Sequence, residues 1–187
     1  MVSVALNAPF VAGYALAILF IYGRYGNPFP YFLTALLFAT VIPVLFLYLF
    51  ARSGMTSGLD VPDKRSRPIP FAMAISSYSA GSAILIVTHS PVQIISFMLC
   101  YLVNTIFMAL ISLRWKISIH ATGIAGPAVI LLFAMGAAAL PFILLAIPVA
   151  WARISLNAHT PVQVAAAFVV TPAITYVQLL VYSMALH

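Results

Sequence analysis

Carboxylates are nearly missing from this 187-residue chain: Asp60 and Asp63 stand alone against eight lysines and arginines, and charged residues make up 5% of the total. A soluble domain carries about a quarter of its residues as charges, so a water-facing globule is excluded. Cysteine occurs once, at Cys100 within an apolar run, which rules out a disulfide inside the chain and leaves that residue as a small buried hydrophobe. No dense basic stripe with interleaved exposed aromatics accompanies the net charge of +6, and nucleic acid is therefore excluded as a partner. Residues 1–9 contain no positive segment ahead of the first apolar run, so that run reads as a retained span and not as a cleaved signal.

What remains is hydrocarbon. Hydrophobic residues are 65% of the chain, in runs at approximately 8–23, 30–51, 71–88, 92–113, 121–138, 140–156 and 161–183. Each is long enough, or nearly so, to cross about 30 Å of bilayer core as a helix. The expected fold is a single all-α transmembrane bundle over residues 1–187 with seven spans, or six if the boundary near 136–141 is a bend and not a turn. Polar breaks fall at 52–70, 114–120 and 153–163. Two spans separate Arg67 from His120 and two more separate His120 from Arg153, so parity returns all three breaks to one membrane face. Nine of the ten acids and bases, all but Arg24, lie on that face. The positive-inside rule makes it cytoplasmic.

Two of these breaks carry histidines beside cations: Lys116-Ile-Ser-Ile-His120 and Arg153-Ile-Ser-Leu-Asn-Ala-His159. Ionisable groups at a membrane edge are costly, and imidazoles grouped with guanidinium ions suit chemistry on phosphate. Pro161 is placed to open the last helix, bringing His159 near an N-terminus where unpaired N–H groups attract an anion. Gln163, four residues on, can accept from the ring nitrogen that does not attack and so fix the tautomer. His120 can hold a proton for a leaving oxygen, with Ser118 as a donor to phosphate. In Asp60-Val-Pro-Asp63-Lys64-Arg65-Ser-Arg67-Pro68, the fork of Arg67 suits two phosphoryl oxygens, and Lys64 adds a point charge. The bland reading of this loop is a solvated set of paired charges. Asp60 and Asp63 could instead hold Mg²⁺ against a diphosphate, but magnesium sites of that kind need more carboxylates than two and would leave the histidines idle.

In these intervals the chain resembles the type 2 phosphatidic acid phosphatase superfamily of integral membrane lipid phosphatases. Arg67-Pro68 matches the end of its first motif, Ser118 with His120 the second, and Arg153 with His159 the third. The resemblance implies hydrolysis of a lipid phosphate or diphosphate without metal or other cofactor. His159 would attack phosphorus, His120 would protonate the lipid alcohol, and Lys64, Arg67, Ser118 and Arg153 would hold the phosphate. Departures are Asp60 at the family's lysine position, Ile117 and Ile119 around Ser118, Ala152 before Arg153, and Gln163 in place of an aspartate. A phosphoryl transferase on the same scaffold, or a headgroup binder or transporter, are the other readings.

Overall fold

The computed structural model describes residues 7–22, 28–54 and 67–185, and every regular element within them is helical. Five helical runs are long and apolar enough to cross a membrane: Phe29–Arg52, Pro68–Val87, Val92–Arg114, Ile119–Ile143 and Pro161–Ala185. The chain is thus an integral membrane protein, a polytopic all-helical bundle.

The first helix, α1 (Ala8–Tyr22), has 15 residues and spans about 22 Å at 1.5 Å per residue. α2 (Phe29–Arg52) contains a π turn at Leu37–Val41. Its cause is Pro43. The Ile42 N–H bonds to the Leu37 carbonyl, one residue further back than in an α-helix, and Pro43 has no N–H to offer the Phe38 carbonyl. That carbonyl would be orphaned in hydrocarbon, where each unsatisfied backbone group costs several kcal/mol. Ser77 of α3 (Pro68–Val87) donates its hydroxyl to it at 2.6 Å. One turn on, a Cβ built at Gly81 would lie 2.6 Å from the Phe38 Cβ, so glycine permits the approach that the bond requires.

α4 (Val92–Arg114) returns alongside α3 and delivers the chain through an extended residue, Trp115, to α5 (Ile119–Met135). α5 is the axis of the bundle, packed against α1 on one side and the last helix on another. A Cβ at Gly123 would meet Ala8 at 2.6 Å, so small residues set the α1–α5 spacing.

The seven expected spans require correction beyond α5, because the apolar run 140–156 is not one helix. Gly136, at φ 60° and ψ −140°, ends α5 in a conformation open to glycine, and a 3₁₀ turn follows at Gly136–Ala139. The return is made by two pieces, α6 (Leu140–Ile143) and α7 (Ala146–Ser155). Pro141 starts the first piece; Pro148 cannot donate to the turn before it, so the ladder restarts at residue 146. The broken return packs along α5, and α8 (Pro161–Ala185) closes the bundle.

A chain of polar side chains knits α4, α5 and α8 within the apolar interior. Asn104 donates to Thr175 at 2.8 Å and accepts from Gln178 at 3.1 Å, while Thr171 donates to Thr122 at 3.3 Å. Such bonds join helices where apolar burial gives no preference between protein and lipid.

Removing the Ser77 hydroxyl leaves the Phe38 carbonyl without its donor. Ser77→Ala is expected to lower stability by roughly 1–3 kcal/mol, the cost of leaving a buried acceptor unsatisfied, read as a lower thermal midpoint in detergent; an unchanged midpoint would show that another group satisfies the carbonyl.

Candidate functional site

Three helices begin at one end of the bundle, and each carries a candidate residue at its start. Arg67 immediately precedes α3, whose first residue, Pro68, has its φ already set for a helix. His120 is the second residue of α5, capped by Ser118, whose Oγ accepts from Ala121 N at 3.4 Å. His159 stands two residues before α8. There Thr160 and Gln163 form a reciprocal capping box: Gln163 N donates to Thr160 Oγ1 at 3.3 Å and Thr160 N donates to Gln163 Oε1 at 3.1 Å. Arg153 lies in the last turn of α7, where a cation complements the carbonyl end of the helix.

Arg67, His120, Arg153 and His159 line one cavity, and each is buried, with 5–7% of its surface exposed. The parity expected from the sequence therefore holds across the broken return of α6 and α7. His159 follows Arg153 by six positions, and the loop between them folds back on the arginine: the Arg153 carbonyl accepts from Ala158 N at 3.1 Å and His159 N at 3.2 Å. Asn157, with φ 50°, makes the left-handed step that reverses the chain.

An extended strap between α4 and α5 supplies the acceptors. Arg67 Nη1 donates to the Ile117 carbonyl at 3.3 Å, and His159 Nδ1 lies 3.2 Å from the Lys116 carbonyl. His159 Nδ1 is also 3.2 Å from Gln163 Oε1, the same oxygen that accepts from Thr160 N. Both neighbours of Nδ1 are acceptors. Its proton therefore resides there, and the neutral ring keeps a lone pair on Nε2. Burial first, then the positive charges of Arg67 and Arg153, push the His159 pKa down to about 4, against a smaller opposing effect from the Gln163 and Lys116 bonds. The ring is neutral at physiological pH.

All formal charge among the described residues is positive, since Asp60 and Asp63 both lie outside them. Two buried guanidinium groups and the starts of three helices converge here, groups that each favour anionic oxygens. Among the described residues no three His, Cys, Asp or Glu side chains come together as metal ligands.

The sequence-derived residues divide into three groups. Arg67, His120, Arg153, His159 and Gln163 come together as expected. Ser118 is fully buried and is not among the residues lining the cavity; its oxygen caps α5, so it holds His120's helix turn in place. Lys64 lies outside the described residues. Sequence reasoning missed Thr160, although Thr160-Pro-Val-Gln163 has the spacing of a capping box. It also missed the strap's carbonyls, for which side-chain patterns contain no signal.

Below the cluster the cavity continues between helices, lined mainly by apolar side chains and reaching Tyr78, Tyr101 and Pro127. From Ile119 to Pro127 this is eight residues of α5, about 12 Å along the helix. No protein-family model matches the chain, and no curated protein or solved structure matches it.

The tautomer and protonation state can be read by ¹⁵N NMR of histidine-labelled protein. His159 is expected to show Nδ1–H with unprotonated Nε2 down to pH 5 and to gain its second proton only as pH falls through about 4; titration near 6.5, or the opposite tautomer, would overturn this electrostatic account.

Proposed function

We propose that this chain hydrolyses a lipid phosphate, a monoester or a diphosphate, through a phosphohistidine on His159 and without a metal. The observation that carries the reading is His159 itself: a buried neutral imidazole with Nδ1 bonded to acceptors, between two arginines and across a cavity from a second histidine. An anion site needs only positive charge. A neutral, oriented imidazole inside that charge adds a nucleophile.

In this reading the phosphoryl oxygens sit against Arg67 and Arg153, and the helix N-termini share the charge that develops on them. His159 Nε2 forms the N–P bond as the bond from phosphorus to the leaving oxygen breaks. His120 delivers a proton to that oxygen, so a monoester releases an alcohol and a diphosphate releases the lipid monophosphate. Water then attacks phosphorus while His120 takes its proton, the N–P bond breaks, and inorganic phosphate leaves. Gln163 orients the ring but cannot neutralise it, so stabilisation of the phosphorylated imidazole falls to the phosphoryl oxygens it carries.

Arg52, Arg114 and Lys116 sit at helix ends on the same side as the site, which favours a cytoplasmic orientation under the positive-inside rule.

The test is phosphate release by purified protein from phosphatidate, phosphatidylglycerol phosphate and polyprenyl phosphates, with chelator present. Release is expected to persist with chelator, to fall at least ~10⁴-fold in His159→Ala, and to fall roughly 10²–10³-fold in Arg153→Ala. Abolition by chelator, or turnover that survives loss of His159, would sink the mechanism. A second expectation concerns pH. In kcat/KM, which reports the free enzyme, the acid limb due to His159 is expected near pH 4 in the wild type. Gln163→Glu sets a carboxylate against the ring, favours its charged form, and should move that limb to higher pH; an unmoved limb would mean that another group sets it.

A further inference from the structure

Asn7 stands just before α1 with 6% of its surface exposed, and it lines the same cavity as Arg67, His120, Arg153 and His159. Its place follows from the packing of α1 on α5. A Cβ built at Gly123 would lie 2.6 Å from the Ala8 Cβ, so the two backbones nearly touch there, and His120 is one turn before Gly123 on the same face of α5. α2 ends at Arg52 on the side of the site, so α1, one crossing earlier, begins on that side and runs the way α5 does. Asn7 precedes Ala8 as His120 precedes Gly123, which puts the two residues at neighbouring positions on the cavity wall. The Asn7 carbonyl accepts from Phe10 N at 3.0 Å and Val11 N at 3.1 Å, tying the residue to the first turn of α1.

An amide at this position meets a need of the second chemical step. Water that attacks a phosphohistidine carries two hydrogens, and it is held in line when both have acceptors. Arg67 and Arg153 carry donors alone, and His159 keeps Nδ1–H while its Nε2 is bonded to phosphorus. His120, as base, takes one hydrogen of the water. Asn7 Oδ1 has lone pairs for the other, whereas the strap's carbonyls of Lys116 and Ile117 already receive His159 and Arg67. Thr122 is turned to other partners, donating to the Ser118 carbonyl at 3.2 Å or the Met108 sulfur at 3.3 Å and accepting from Thr171 at 3.3 Å. A carboxamide offers two acceptor sites and two N–H groups, so it can serve a protein partner and a water together.

Resting on the phosphohistidine reading above, we infer that Asn7 positions the hydrolytic water. Its Oδ1 accepts one O–H while His120 accepts the other. As the water oxygen bonds to phosphorus, the N–P bond breaks and its electron pair returns to His159 Nε2; His120 takes one proton, and the second stays on the phosphate that leaves. The first step makes no such demand, because the leaving oxygen brings no hydrogen and takes its one proton from His120. Asn7 therefore acts on dephosphorylation more than on phosphorylation.

Rapid quench with the ³²P-labelled lipids of the panel above separates the two steps. In Asn7→Leu, label is expected to reach His159 within about threefold of the wild-type rate and to leave it at least about tenfold more slowly, so that phosphoenzyme accumulates. Asn7→Asp keeps an oxygen acceptor and should lose label within about threefold of the wild-type rate. Methanol has one hydrogen to place and should speed the loss from Asn7→Leu more than from the wild type, a difference that a merely structural defect would not produce. Asn7→Ala gives the same comparison if the leucine form does not fold. Loss of label from Asn7→Leu at the wild-type rate, equal slowing of both steps, or an aspartate form as slow as the leucine form would overturn the role of Asn7 and leave the phosphatase reading intact. Phosphate release by the wild type without labelled His159, or no release from any lipid, would sink the phosphohistidine reading and this inference with it.

Discussion

Two adjacent backbone carbonyls, those of Lys116 and Ile117, hold the site together. Each takes a cationic or nucleophilic side chain from a different part of the chain: the first His159 from the start of α8, the second Arg67 from the start of α3. They can do so because residues 115–118 lie between two helices and outside both, so these carbonyls have no helical donor and take side-chain partners instead. The strap's hydrogen-bonding demand and the site's demand for acceptors satisfy each other. A buried arginine needs acceptors, and the Ile117 carbonyl is one.

A carboxylate beside His159 would stabilise an imidazolium and raise its pKa; Gln163 and a carbonyl only orient it, leaving the two arginines to depress it. The outcome is a histidine that stays neutral beside two buried arginines. Gln163 serves twice with one oxygen, capping α8 and fixing the His159 ring.

The bundle supports this arrangement by solving its backbone problems locally. Pro43 forces a π turn in α2, and Ser77 meets the freed carbonyl; Asn157 adopts a left-handed conformation so that the Arg153 carbonyl can take two N–H groups. Gly81 lets α2 and α3 approach closely enough for the Ser77 bond, and Gly123 lets α1 approach α5.

Composition alone determined that the chain belongs in a bilayer, since 65% hydrophobic residues and two acids allow no other solvent. The spacing of Arg67, His120, Arg153, His159 and Gln163 at polar breaks was enough to nominate them, because parity of crossings carries distant residues to one face. Sequence could not show that the run 140–156 breaks into two helices, for apolarity measures solubility in lipid and not the continuity of a hydrogen-bond ladder cut by Gly136, Pro141 and Pro148. Ser118, an apparent phosphate donor in sequence, is a helix cap in space; Thr160, unremarked in sequence, completes the capping of α8. Which nitrogen of His159 bears the proton was decided only by tertiary structure, because the carbonyl that helps hold it comes from Lys116, 43 residues away, and backbone atoms are the same in every sequence.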